Sequence, residues 1–216
     1  MKKILCIHAH ESNIYYLDRL LGTFDCAIDH QMIRLADNPK NSAEMLKKEI
    51  TSYFCDDVIA CFLTCTVHGS LVDEEMINGV PIFKIEDPII EKLSQDPCDK
   101  VLLFTNPSTV NLTVNKIKHS RGRFQNYDVE IIPDSFELIL NNEQALYKAA
   151  IVEYIRTKTK DVYLMQLSMS IIQEESLLND VRISTVYKEA EGTYTKIISE
   201  LLKKEHADES GGLHAR

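Results

Sequence analysis

Residues 57–69 read DVIACFLTCTVHG, an apolar run of strand length that ends in a polar turn. A similar run, DVYLMQLSMS, occupies residues 161–170 in the second half of the chain. Continuous apolar runs of this kind are typical of strands buried in a parallel sheet. Cys65 lies at the polar end of the first run, whereas the second run contains no cysteine. A scaffold that repeats, with a thiol at only one of the two strand ends, predicts a cleft whose two sides differ chemically.

The rest of the chain alternates apolar runs of strand length with segments of helical period, which predicts mainly parallel sheets covered by helices. The pattern restarts at Lys100–Phe104, which parallels Lys3–His8 at the start of the chain. Any two buried parallel strands look alike, but the shared order of strands and helices favours a duplication. We therefore predict an α/β fold of two pseudo-symmetric lobes, with the active-site cleft between them at the strand ends.

The repeat also predicts where the lobes begin and end. We expect residues 1–98 to form the first α/β lobe together with residues 184–205, because the chain of such a repeat returns to its first lobe. Residues 99–183 would form the second lobe. Residues 206–216 are polar and contain glycine, which predicts a flexible tail.

Composition excludes several classes of protein. The net charge of -9 and the pI near 5.3 argue against a nucleic-acid partner, since phosphate binding needs basic surface. No apolar stretch approaches the roughly 18–20 residues that span a membrane. The run Ile4–Ile7 is shorter than the roughly 7–15 residues of an export signal, so it predicts a first strand instead. Oligomeric state is left open, a homo-oligomer included.

The six cysteines predict free thiols in a reducing compartment. They show no CxxC pair and no histidine partners at zinc-ligand spacing, so no metal site is predicted. We therefore expect a cytoplasmic protein.

Cys65 is the first candidate for chemistry. It comes just after a central strand, and a helix that begins near Ser70 would lower the pKa of its thiol. The simpler alternative is an ordinary buried cysteine, an interpretation that suits Cys61 inside the strand.

Polar residues follow the matching strands of both halves. After the strand Lys100–Phe104 come Thr105, Asn106, Ser108 and Thr109. Their hydroxyl and amide groups, with free backbone N–H groups, either cap a helix or hold a substrate carboxylate. Ser12 follows the first strand, as does His10, which is the weaker candidate because a histidine there is often a capping residue.

Four segments together resemble the aspartate/glutamate/hydantoin racemase superfamily, and in particular its uncharacterised single-cysteine branch. They are Leu63–Gly69, Phe83–Pro88, Val101–Thr109 and Leu164–Met169, within a resemblance that extends from Lys3 to Gly192. The resemblance implies two pseudo-symmetric α/β lobes without a cofactor, so catalysis independent of pyridoxal phosphate, and without a metal. In the two-base members, one thiolate removes the α-proton and a second thiol reprotonates the other face. Cys65 falls on the motif of the first cysteine.

The second cysteine of the family pattern is missing here. Its place falls near Gln166 by motif, or near Met169 if the two halves are aligned without gaps, and neither side chain exchanges a proton usefully. No cysteine follows Cys98, so symmetric two-thiol racemisation within one chain is not expected.

These observations predict a cofactor-independent, racemase-like isomerase that acts on a small carboxylate, an amino acid or a related acid. Cys65 would be the base or nucleophile, with its pKa lowered toward neutrality. Two alternatives remain: a small-ligand-binding protein of the same fold that has lost catalysis, and a flavodoxin-like or sugar-isomerase-like pair of lobes in which Cys65 is structural. The predicted substrate-binding residues are Ser12, Thr66, Ser108, Thr109, Gln166 and Ser168.

Overall fold

The strands of the chain form two separate sheets, one of five strands and one of four. They are seen in a computed structural model that describes residues 1–35, 42–120, 126–173 and 181–211. The predicted α/β fold of two lobes with mainly parallel sheets flanked by helices is confirmed.

The first lobe has the strand order β2-β1-β3-β5-β4, in which only β4 is antiparallel to its neighbour. Its strands are β1 (Lys3–His8), β2 (Ala27–Met32), β3 (Val58–Leu63), β4 (Met76–Ile77) and β5 (Val80–Lys84). Its helices are α1 (Ile14–Leu21), α2 (Ser42–Ser52), α3 (Thr66–Leu71) and α4 (Asp87–Gln95).

The second lobe is a parallel sheet of order β7-β6-β8-β9. Its strands are β6 (Lys100–Phe104), β7 (Tyr127–Ile131), β8 (Asp161–Leu164) and β9 (Ile183–Thr185). Its helices are α5 (Val110–His119), α6 (Ser135–Leu140) and α7 (Gln144–Arg156), followed by the long final helix α8 (Val186–Gly211).

The two sheets repeat the same connectivity, since β2-β1-β3-β5 and β7-β6-β8-β9 follow the same order along the chain. In both lobes the strand that begins the lobe lies between the second and third strands. The carboxyl ends of β3 and β8 therefore occupy matching places, as the sequence repeat predicts.

Successive side chains of each strand point to opposite faces of its sheet, and the described residues form three apolar cores. Ile4 and Cys6 of β1 face a core that is shared with Leu102 and Phe104 of β6, while Leu5 faces the outer core of its own lobe. A third core fills the outer side of the second lobe. Helix α8 contributes to the shared core and contacts α1 and α4 of the first lobe.

Two elements were not predicted. Strand β4 pairs with β5 across an Asn78-Gly79 turn in which both residues have positive φ, a turn that favours this dipeptide. Helix α6 forms between β7 and α7. Helix α8 continues to Gly211, so it extends into the tail that the sequence predicts for residues 206–216, and residues 212–216 lie outside the described residues. Within the described part of the chain, no helix is long and apolar enough to cross a membrane.

Candidate active site

A cavity of about 230 Å³ lies between the two lobes, just beyond the carboxyl ends of their central strands. Residues of both halves line it, so the expected cleft exists. The first-lobe lining consists of Ala9, His10, Ser12, Asn13, Thr64, Cys65 and Thr66. The second-lobe lining consists of Asn106, Thr109, Phe136, Ile139, Leu140, Gln166, Leu167 and Ser168.

Cys65 is the residue that precedes helix α3, and its backbone is extended. It is partly exposed toward the cavity. Burial by the surrounding protein raises the pKa of its thiol, the backbone N–H groups of His68 and Val67 oppose this, and the charge of Glu86 adds to the increase. Those N–H groups do not form a side-chain cap with the sulfur, so their effect is the weaker one. The predicted lowering of the Cys65 pKa toward neutrality is therefore wrong.

Thr66 is held by a partly buried ion pair that joins the two lobes. Its hydroxyl donates to Glu86 Oε2 at 2.8 Å, and Lys116 Nζ donates to Glu86 Oε1 at 3.0 Å. Glu86 precedes α4 in the first lobe, whereas Lys116 lies on α5 in the second. Burial lowers the pKa of Lys116, but Glu86 and Asp87 outweigh it and raise the value overall. The hydroxyl proton of Thr66 thus points to Glu86.

Gln166 fills the matching corner of the second lobe. Its Oε1 accepts hydrogen bonds from the backbone N–H of Thr105 at 2.6 Å and of Asn106 at 3.1 Å, and from the Thr105 hydroxyl at 2.8 Å. Its Nε2 donates to Thr109 Oγ1 at 3.3 Å. The expectation that free backbone N–H groups there hold a carboxylate is wrong for Thr105 and Asn106, because an amide oxygen from the chain itself already occupies them.

A chain of hydroxyls extends from Gln166 to Ser168. Because the Thr105 hydroxyl gives its proton to Gln166, Tyr147 must donate to Thr105 at 3.1 Å. Ser168 must then donate to Tyr147 at 3.0 Å. Burial raises the pKa of Tyr147, and its hydrogen bonds to Ser168 and Thr105 oppose that increase. The Ser168 hydroxyl therefore offers acceptor lone pairs to the cavity.

His10 and Ser12 form the corner after β1. Nδ1 of His10 accepts from the Ser12 hydroxyl at 2.9 Å and from the Ser12 N–H at 3.2 Å. This arrangement leaves the proton of a neutral His10 on Nε2. The capping interpretation of His10 is thus confirmed, although the residue also lines the cavity.

The structure brings together five of the six predicted substrate-binding residues around Cys65. The exception is Ser108, which is exposed and is not among the lining residues. Its hydroxyl and its N–H both donate to Asn106 Oδ1, because the segment before α5 closes a capping turn there. Whether the other five bind a substrate stays a prediction.

Sequence reasoning missed several lining residues. Asn13 follows the same strand end as Ser12, so position alone could have found it, whereas Asn106 was already a candidate in the corner after β6. Helix α6 contributes Phe136, Ile139 and Leu140. Their spacing of three and four residues is typical of one apolar face of a helix, and this pattern could have predicted α6. His68, a polar neighbour of Cys65 in sequence, is instead buried, and burial lowers its pKa to about 4.

Several solved structures of similar fold are named as racemases. An aspartate racemase of Picrophilus torridus matches with a TM-score of 0.64 and 12% identity, over 94% of this chain and 94% of that one. A glutamate racemase of Francisella tularensis, solved with D-glutamate, matches with a TM-score of 0.64 and 14% identity, over 95% and 82%. An allantoin racemase of Pseudomonas fluorescens matches with a TM-score of 0.57 and 12% identity, over 92% of this chain and 91% of that one. No protein-family model matches the sequence, and no curated protein matches it.

The chain has the fold of the aspartate and glutamate racemases. Within this racemase fold, Cys65 and Gln166 are each the second residue after a matching strand, and each precedes a short helix with extended backbone. Met169, the alternative position, is fully buried and does not line the cavity. Among the described residues, no group of three His, Cys, Asp or Glu side chains is placed to hold a metal ion.

Proposed function

We propose that this chain is a cofactor-independent, racemase-like isomerase that uses Cys65 as its proton-transferring residue on a small carboxylate, an amino acid or a related acid. The observation that carries the proposal is the meeting of Cys65 with polar groups of both lobes in one small cavity, on the fold of known racemases. A cavity of about 230 Å³ suits a ligand of amino-acid size.

The two sides of the cavity differ in chemistry, because only one of them has a group that transfers protons. Cys65 lies on the first-lobe side, and Gln166, which neither takes nor gives a proton, lies at the matching place of the second lobe. Proton removal and return therefore take place on one face of the substrate. Exchange of the α-proton with solvent is the expected reaction, with little inversion of configuration.

The second candidate is a small-ligand-binding protein of the same fold that has lost catalysis. Two observations favour it: the raised pKa of the Cys65 thiol, and the chain's own amide oxygen in the second-lobe corner. Such a protein would bind an acid tightly without exchanging its proton.

A deuterium-incorporation screen tests the proposal. Aspartate, glutamate, neutral amino acids and hydantoin-type acids are incubated with the protein in heavy water, and the α-proton signal is followed by NMR. The isomerase predicts loss of that signal for at least one acid, and no loss with Cys65→Ser, because a serine hydroxyl has a far higher pKa than a thiol. Binding of an acid without exchange would support the binding protein instead.

A further inference from the structure

A chain of hydrogen bonds extends from the cavity wall to the surface of the first lobe. Thr64, which lines the cavity, contacts His8 Nδ1 through its Oγ1 at 3.0 Å. His8 Nε2 lies 2.8 Å from His30 Nδ1, and His30 Nε2 lies 2.9 Å from Asp18 Oδ1. The side chains become steadily more exposed along this path: His8 is 0% exposed, His30 18% and Asp18 56%.

The fold brings these four groups into line from four different elements. Thr64 follows β3, His8 ends β1, His30 lies on β2 and Asp18 on α1. The three strands are neighbours in one parallel sheet, so their ends meet at one edge. Asn13 Nδ2 also donates to Thr64 Oγ1 at 3.4 Å and helps to fix that hydroxyl.

The carboxylate of Asp18 sets the order of the protons. It accepts a hydrogen bond from His30 Nε2–H, so a neutral His30 has its free lone pair on Nδ1. His8 then donates from Nε2 and accepts on Nδ1. The Thr64 hydroxyl lies between two acceptors, His8 Nδ1 at 3.0 Å and the Ile7 carbonyl oxygen at 3.1 Å, and it donates to His8 when it rotates away from Ile7. With the Thr64 hydroxyl turned to His8, the hydrogen bonds of this chain all run from Thr64 toward Asp18.

We propose that Thr64, His8, His30 and Asp18 form a relay that carries protons between the cavity and solvent. The inference deepens the proposed function and rests on it for the acid whose proton is moved. When a proton reaches Thr64 Oγ1 from the cavity, the hydroxyl proton passes to His8 Nδ1. The proton on His8 Nε2 passes in turn to His30 Nδ1. His30 is then an imidazolium beside the Asp18 carboxylate, where its Nε2 proton exchanges with water.

The reverse hops return a solvent proton to the cavity, so the chain needs no other reactant. The relay meets a need of a one-thiol site: burial disfavours the Cys65 thiolate, and the second lobe supplies no base at Gln166. The titratable groups that face His8 are His30, Asp18 and His68, and burial is the main reason that its pKa falls to about 4. A neutral His8 passes protons without storing one.

Chemical rescue tests the relay with an acid that the protein exchanges. His30→Ala should lower the exchange turnover by about 100-fold while KM stays within about twofold. Added imidazole should restore exchange, and pyrazole should not, because it has a similar shape but is much less basic. The matched control His119→Ala removes an exposed histidine of α5 and should change nothing. An unchanged rate of α-proton exchange in His30→Ala, or equal rescue by imidazole and pyrazole, would overturn the relay.

Two NMR readouts need no substrate. Nitrogen spectra should show His8 and His30 as neutral Nε2–H tautomers, with a coupling across the His8–His30 hydrogen bond. Solvent exchange of the buried His8 Nε2–H should slow by about tenfold in His30→Gln, because only slower local opening then remains. No coupling, or an unchanged exchange rate, would overturn the relay. If both readouts succeed while no acid exchanges its α-proton, the relay stands and only the proposed function fails.

Discussion

The side-chain oxygen of Gln166 lies 2.6 Å from the backbone nitrogen of Thr105, so the second lobe binds its own amide where the first lobe presents a thiol. Three donors converge on that single oxygen. Two N–H groups and one hydroxyl that converge in this way could bind an anion, and here the side-chain oxygen of Gln166 occupies that place.

Removing the Gln166 side chain should free the donors that surround its oxygen. Gln166→Ala leaves the N–H groups of Thr105 and Asn106 without their partner, and we expect the free energy of unfolding to fall by about 1–3 kcal/mol. Added acetate or formate should restore part of this loss, because an anion that binds only the folded protein stabilises it. Urea titrations with and without the salt measure both effects.

The control for that experiment is Gln95→Ala, which removes an exposed glutamine from α4. It should lose little stability and gain nothing specific from acetate. Equal stabilisation of the wild type and Gln166→Ala by acetate would show that the corner does not bind anions.

A second thiol should restore two-sided chemistry. In Gln166→Cys the new sulfur lies at the place that matches Cys65, so we expect racemisation of an exchanged amino acid to rise by about tenfold or more. Chiral chromatography measures the product. Met169→Cys is the matched control, since its side chain is buried away from the cavity and should give no increase. A similar gain in both variants would contradict the assigned symmetry.

The raised pKa of Cys65 predicts slow alkylation near neutral pH. Below about pH 8.5, iodoacetamide should label Cys65 about tenfold more slowly than the exposed Cys98, because the thiolate is the reacting form. The labelling rate of Cys65 should still rise as the pH increases. Mass spectrometry of labelled peptides gives both rates. Faster labelling of Cys65 than of Cys98 at about pH 7 would show that a positive group lowers its pKa.

Asp96 should make stability depend on acid pH. Burial alone would raise the pKa of its carboxyl, but hydrogen bonds from Tyr163 and the Cys98 N–H, with the charges of Lys100 and Arg182, lower it to about 2. A pKa that is lower in the folded state adds stability above the unfolded value near 4, and this is lost as pH falls toward 2.

The corresponding variant is Asp96→Asn. It should be less stable than the wild type by about 2 kcal/mol at neutral pH, with the difference shrinking between about pH 4 and 2. Urea unfolding across that range checks the trend, with the exposed Asp73→Asn as control. A difference that stays constant with pH would mean that the Asp96 charge does not contribute.

The sequence predicts the lobes and the strand ends well because both depend on local apolar runs and their order. The cavity residues follow strands of two separate sheets, and they meet because the carboxyl ends of both sheets face one cleft, as the repeat predicts. They are Cys65, Thr66, Thr109, Gln166 and Ser168. The features that sequence reasoning did not predict depend on hydrogen bonds. The amide of Gln166 and the turn that holds Ser108 depend on which donors lie nearby, and sequence spacing does not contain that information.

The histidine relay was equally invisible from the sequence. His8 and His30 are separated by 22 residues, and only the parallel pairing of β1 with β2 brings their rings into contact. The pKa of Cys65 failed as a prediction for a related reason. Position at a helix start predicts a lower value, whereas the burial that raises it depends on both lobes packing around the cavity.

One measurement tests the central claim most directly: the rate of α-proton exchange in heavy water for the two enantiomers of one bound amino acid. With Cys65 as the only thiol of the site, one enantiomer should exchange about 100-fold faster than the other, and the substrate should keep its configuration. Cys65→Ser should abolish the exchange of both. Equal rates for the two enantiomers, or full exchange in Cys65→Ser, would contradict one-sided proton transfer by Cys65.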